Sequence, residues 1–180
     1  MLKRFWHEWG RDILIGLAIA LFFRAQVVEA RVVPTESMVP TVQAGDRIFA
    51  EKVLYHFTGP RRGDIIVFDP PFDQSSNALL GQLGLEDDYL KRVIGLAGDT
   101  VEVKGGQVLV NGKPLKEPYI AAPPAYRYGP VTVPEGKLFV LGDNRNNSFD
   151  SHSWGFVEEE SVRSRAVLRW WPLNRIGLLK

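Results

Sequence analysis

The sequence predicts a mostly-β domain over residues 32–180, preceded by one apolar membrane-targeting helix. Two observations carry the β assignment. Beyond residue 45 the chain runs in short stretches rich in β-branched and aromatic residues, divided by Gly, Pro, Asn and Asp. Within them Gly105-Gly106 and Asn111-Gly112 are two-residue turn signals, both able to take the positive φ that tight hairpins demand. The third observation, an unbroken apolar run from Ile13 to Phe23 behind Lys3, Arg4 and Arg11, predicts the helix. The 180 residues, 45% of them hydrophobic, suffice for a real core.

Residues 1–12 form the cationic flank. The run that follows is 11 residues, about 16 Å as a helix against roughly 30 Å of hydrocarbon. To span, it must continue through Ala25, Val27, Val28 and Ala30, with Arg24, Gln26 and Glu29 reaching for the interface. The expectation is an uncleaved anchor over 13–31 with residues 1–12 in the cytoplasm and the rest of the chain on the trans side of the cell membrane. Two other readings stay open: a cleaved signal peptide, which lacks a good small-x-small site here, and a buried core helix.

Strands are expected at 47–54, 64–68, 89–96, 100–103, 108–110, 137–141 and 166–171. The two turn signals fold residues 100–115 into successive hairpins. Residues 158–163, acidic first and basic last, suit one short helical turn. Two segments read as excursions. One, 73–88, carries Leu79, Leu80, Leu83 and Leu85 and is expected either to pack locally or to touch the bilayer; the other is the proline-rich 118–134.

Composition removes several function classes. With 22 Lys and Arg against 21 Asp and Glu, the net charge of +1 gives no field to recruit nucleic acid. Cysteine is absent, so disulfides, thiolate nucleophiles and Cys-based zinc sites are excluded; His7, His56 and His152 are too dispersed to suggest a metal site. No phosphate-cradling glycine motif occurs, and no cofactor is expected.

Three segments carry chemistry. In Val33-Pro34-Thr35-Glu36-Ser37-Met38-Val39-Pro40-Thr41 two prolines hold the backbone extended or turned and present Ser37 on a stiff loop. In the run Tyr89-Leu90-Lys91-Arg92-Val93-Ile94 strand alternation sends Lys91 and Arg92 to opposite faces. If the face shared by Tyr89, Lys91 and Val93 is the buried one, desolvation drives the lysine toward its neutral amine, which can accept a serine proton. The loop from Gly142 to Phe156 is dense in Asn, Asp and Ser beside Trp154. There Ser148 is placed to orient a neutral lysine and Asp150 to pair with Arg145 or His152.

Taken in order, the boxes Ser37-Met38-Val39-Pro40-Thr41, Gly45-Asp46-Arg47, Arg62-Gly63-Asp64-Ile65-Ile66-Val67-Phe68, Lys91 through Asp99 and Gly142-Asp143-Asn144-Arg145 resemble those of the bacterial type I signal peptidases. These are membrane-anchored Ser-Lys proteases that remove signal peptides from exported preproteins. The resemblance implies their antiparallel β catalytic domain behind one transmembrane helix, with signal-peptide-bearing preproteins and the lipid bilayer as partners. It implies Ser37 as nucleophile, Lys91 as general base, and Thr35 with the Ser37 N–H as oxyanion hole. Ser148 matches a serine that hydrogen-bonds the lysine, and Asp143, Arg145 and Asp150 match its supporting network. Val33, Val42, Tyr89 and Leu90 match positions lining pockets for small side chains at the first and third residues before the cut. The chain departs from the pattern at Asn146, Ala97 and His152, and 99–142 is too short for the large inserted domain of some members. Three rivals are a Ser37–His152 pair, a self-cleaving repressor with the same Ser-Lys chemistry, and a tethered β-domain that binds extended peptides by strand addition without cutting them.

Overall fold

The computed structural model describes residues 9–10, 12–16, 28–71 and 89–179. Residues 12–16 are helical, and among the described residues no helix is long and apolar enough to cross a membrane. Most of the expected anchor, and the leucines of 73–88, lie outside the described residues. The end of the anchor is a different matter. Val28–Val32 (β1) pairs antiparallel with Arg47–Glu51 (β2), Val28 opposite Glu51 and Val32 opposite Arg47. Residues 28–31 are therefore strand, not the last turn of a helix: Val-Glu-Ala-Arg-Val alternates with period two, and an edge strand lets Glu29 and Arg31 pair with each other and Glu29 with Lys52.

The larger sheet continues with Ile65–Phe68 (β3), Tyr89–Gly95 (β4) and, past the small sheet, Lys137–Leu141 (β9), Val157–Glu158 (β10), Val162–Trp171 (β11) and Gly177–Leu178 (β12). Its order is β1-β2-β11-β3-β4-β9-β10, with β12 beside β11, and the pairings are antiparallel. Thr100–Lys104 (β5), Gln107–Val110 (β6), Lys113–Pro114 (β7) and Tyr128–Thr132 (β8) form a second sheet ordered β7-β6-β5-β8. The two turn signals fall where expected, between β5 and β6 and between β6 and β7.

Other elements also differ from expectation. The strand placed at 47–54 stops at Glu51, and Val53–Thr58 (α1) follows. Only Glu159–Ser161 of the expected helical turn is 3-10, because Val162 already opens β11. β8 lies inside the proline-rich excursion; it pairs only with β5, so Pro130 sits on an edge strand beside a register shift, where a missing N–H breaks no ladder.

β4 holds the domain together. Leu90 packs against a cluster of Val33, Met38, Val42, Ile48, Ile65 and Ala166, Val93 belongs to a second cluster with Ile66, Phe68 and Val140, and Ile94 to a third that joins the two sheets. Both faces of the strand are thus covered, and Lys91 and Arg92 are 3% and 0% exposed. The sequence singled out the face of Tyr89, Lys91 and Val93 as the buried one; burial of both reflects the Val93 cluster, with Tyr55 and Val157, on that face and the serine-loop cluster around Leu90 on the other.

Candidate active site

Ser37 sits at the start of a turn over residues 36–42 whose shape follows from its apolar residues. Met38 and Val42 are fully buried in the first cluster, with Val33 at 4%, so burying them turns the loop and leaves Ser37 on its rim at 8% exposed. Val42 N–H donates to the Met38 carbonyl and Val39 N–H to that of Glu36. Val42, expected in a substrate pocket, is part of this floor and does not line the cleft.

From β4, Lys91 reaches the same rim. Its Nζ donates to Ser37 Oγ at 2.9 Å and to the Leu90 carbonyl at 3.1 Å, and lies 5.2 Å from the centre of the Tyr89 ring. Burial lowers the Lys91 pKa to about 8, against an opposing pull from the Asp150 carboxylate. Burial thus favours the neutral amine, and Nζ lies within hydrogen-bonding reach of Ser37 Oγ. Thr35 Oγ1 is 3.2 Å from Ser37 Oγ, on the same side of the extended chain.

The loop after β9 braces the serine turn from behind. Asn144 N–H donates to the Ser37 carbonyl at 3.0 Å and Asn144 Nδ2 to the Glu36 carbonyl at 3.2 Å. Asp143 accepts from Thr41 Oγ1 at 2.5 Å and is gripped by Arg92, Nε to Oδ1 at 2.8 Å and Nη2 to Oδ2 at 2.7 Å. This pair is dry, with side chains 1% and 0% exposed. Gly142 has to be glycine: a Cβ there would run into the Ser37 carbonyl oxygen and Ser148 Oγ. Ser148 itself is placed against Gly142 and makes no hydrogen bond to Lys91; its hydroxyl is buried without a hydrogen-bond partner among the described residues.

Of the two pairings open to Asp150, one forms. Its Oδ1 is 2.6 Å from His152 Nδ1, and its Oδ2 accepts from Gly142 N–H at 2.9 Å. Arg145 turns instead to Glu117, Nη1 and Nη2 each meeting one carboxylate oxygen at 2.9 and 2.5 Å, and its Nε donates to the Gly142 carbonyl. His152 stacks on Tyr126 with its other nitrogen near Ser153 Oγ, so both ring nitrogens are engaged away from Ser37. Glu117 and the Arg92–Asp143 partnership were missed in the sequence; spacing within a segment does not reveal a carboxylate recruited from 28 positions away.

A cleft of about 660 Å³ opens in front of Ser37. Val33, Tyr89 and Leu90 line it, joined by Val32, Ile48, Val67 and Phe149. Two backbone edges border it. Among the described residues β1 is the terminal strand of its sheet, and Tyr89-Leu90 extends beyond the point where β9 pairs with β4, which begins at Arg92 opposite Leu141. Among the described residues no cluster of His, Asp or Glu is arranged to hold a metal ion.

A family model described as signal peptidase, peptidase S26, matches residues 6–171. A signal peptidase I from Leptolyngbya laminosa is 52% identical over 96% of this chain and 83% of its own. A probable signal peptidase I-2 from Synechocystis is 50% identical over 97% of this chain and 77% of its own. The crystal structure of a signal peptidase I from Enterococcus faecalis V583, 34% identical, superposes with a TM-score of 0.47, covering 59% of this chain and 95% of that one.

Proposed function

The chain belongs to the signal peptidase family, peptidase S26, serine hydrolases that remove signal peptides from preproteins, and we propose that it does so with Ser37 as nucleophile and Lys91 as general base while held at a membrane. The single observation that carries the dyad is the 2.9 Å contact between Lys91 Nζ and Ser37 Oγ inside a site dry enough to hold the amine near pKa 8.

The steps follow from that contact. Neutral Lys91 takes the Ser37 proton as Oγ adds to the scissile carbonyl carbon. Thr35 Oγ1 and the Ser37 N–H face the developing oxyanion, a position where one donor is typically worth 10²- to 10³-fold in rate. Lys91 ammonium returns its proton to the leaving amine as the tetrahedral adduct collapses to the acyl-enzyme. The amine, neutral again, deprotonates the water that hydrolyses the ester. The substrate enters extended, adding backbone hydrogen bonds along β1 and Tyr89-Leu90 where they border the cleft, with a small side chain against Val33 and Leu90.

The apolar run behind Lys3, Arg4 and Arg11 supports an anchor that leaves the catalytic domain on the trans side of the cell membrane. The test is cleavage of a signal-peptide-bearing precursor in lipid-detergent micelles and liposomes, with the product N-terminus sequenced. The reading expects a cut after a small-x-small site, lost in folded Ser37→Ala and Lys91→Ala, with the detached peptide much the poorer substrate. Full activity of Lys91→Ala would assign the base elsewhere; binding without cleavage by the wild type would leave a peptide-binding domain. Equal efficiency on liposomal precursor and free peptide would remove the role of the anchor.

A further inference from the structure

We propose that the proline-rich segment between β7 and β8 is a strap that holds the catalytic serine in place, with Glu117 and Tyr119 as positioning residues for the reaction; this rests on the Ser37–Lys91 reading. The segment reads as an ordinary excursion in the sequence, yet it grips the loop after β9 at three points and Arg92 of β4 at a fourth. Glu117 closes a two-pronged ion pair on Arg145, whose Nε holds the Gly142 carbonyl. The Tyr119 ring lies under the Arg92 guanidinium, 3.9 Å from carbon to ring centre. Asn146 accepts from Ala125 N–H at 2.7 Å and donates to the Pro123 carbonyl at 3.0 Å. Tyr126 stacks on His152 with ring centres 4.2 Å apart.

Two of these grips lead to Ser37 by short routes. Tyr119 fixes the plane of Arg92, Arg92 fixes both oxygens of Asp143, and Asp143 holds Thr41, four residues past the nucleophile. Glu117 fixes Arg145, Arg145 holds Gly142, and Gly142 is packed against the Ser37 carbonyl whose hydrogen bond comes from Asn144. The routes are joined, since Tyr119 Oη donates to Glu117 Oε1 at 3.1 Å.

Stability alone does not account for the arrangement. The Arg145 and Glu117 side chains are 0% and 5% exposed, and a buried ion pair gains little over well-packed apolar residues of the same volume. What such a pair supplies is a single geometry. Geometry matters here because displacement of a nucleophile by about 1 Å costs on the order of 10²-fold in rate.

The test compares Tyr119→Leu, Tyr119→Phe and Glu117→Gln with the wild type in full-length enzyme, reading kcat and KM separately across pH, beside thermal unfolding. Ser37→Ala runs as the control. The strap role expects Tyr119→Leu to lose tenfold or more in kcat with KM within twofold, and to displace the rising limb of the profile, which Lys91 sets, as Ser37 recedes from Lys91. Tyr119→Phe keeps the ring under Arg92 and retains most of kcat. A folded Tyr119→Leu with wild-type kcat and profile would reduce the strap to packing and overturn the proposal. If Tyr119→Leu fails to fold, Glu117→Gln carries both readouts: loss of kcat with a displaced limb supports the strap, and unchanged values overturn it. Cleavage surviving in Ser37→Ala would instead overturn the dyad, and the strap role with it.

Discussion

Lys91 and Arg92 are neighbours in β4, leave it on opposite faces, are both buried, and both end on the serine turn. Lys91 touches Ser37 Oγ directly at 2.9 Å, and Arg92 reaches Thr41 through Asp143. One strand thus supplies both the Lys91 contact and the Arg92 brace, and the strand period of two keeps them apart. The separation of Ser37 and Lys91 is set from both sides of the same backbone.

The pH dependence of catalysis follows from the first of these contacts. Since burial brings Lys91 to about pKa 8, kcat/KM is expected to rise about tenfold per pH unit below that value and to level off above it. A pH–rate profile on a precursor checks it; a limb centred near the unperturbed lysine value would contradict the burial.

The same shift has a stability counterpart of opposite benefit. A lysine lowered from 10.5 to about 8 penalises the fold by about 3 kcal/mol while charged. The penalty is full below the folded value and fades as pH rises from about 8 toward the unfolded value, where the unfolded chain binds more protons than the folded one. Lys91→Met is therefore expected to be inactive and, at pH 7, several degrees more stable, with the gain shrinking above pH 8. Thermal unfolding at three pH values decides it.

Thr35 is exposed, with its Oγ1 3.2 Å from Ser37 Oγ, and takes little part in packing. Thr35→Val is expected to lower kcat by 10²- to 10³-fold with KM nearly unchanged, and Thr35→Ser to keep most activity. Equal losses in both variants would point to the methyl group, hence to packing.

Arg92 and Asp143 separate stability from activity. Asp143→Asn leaves a buried guanidinium without its counter-charge and is expected to cost about 3–5 kcal/mol. Replacing both, as Arg92→Met with Asp143→Leu, removes the stranded charge and is expected to recover much of that loss in urea denaturation. Activity does not recover, because Thr41 has lost the carboxylate that held the turn.

What the sequence revealed and what it hid divide along physical lines. Ser37, Thr35 and Lys91 lie in short segments whose prolines and strand alternation fix local geometry, while the expectation that they converge came from the resemblance of the ordered boxes to the signal peptidases. Val42 could not be placed, since a valine on a turn faces floor or cleft according to tertiary packing. Asp150 pairs two residues away with His152, within local reach, whereas Arg145 crosses 28 positions to Glu117. β8 was hidden by Pro130, which only its edge position tolerates, and β1 by the hydrophobicity it shares with the segment before it.

Two glycines offer the sharpest contrast between packing and catalysis. At Gly95 a Cβ would meet Val101 at 2.7 Å, Val133 at 2.9 Å and Phe139 at 3.2 Å, all in the cluster that joins the two sheets. At Gly142 it would meet the Ser37 carbonyl and Ser148 Oγ. Overpacking typically costs about 1–3 kcal/mol, so Gly95→Ala and Gly142→Ala are expected to lose similar stability. Their kinetics are expected to part. The first strains side chains between the sheets and leaves kcat of the folded enzyme within a few fold. The second displaces the turn that carries the nucleophile away from Lys91 and is expected to lower kcat by about 10²-fold. Equal kcat values for the two folded variants would show that the Ser37 turn is not held by the loop behind it.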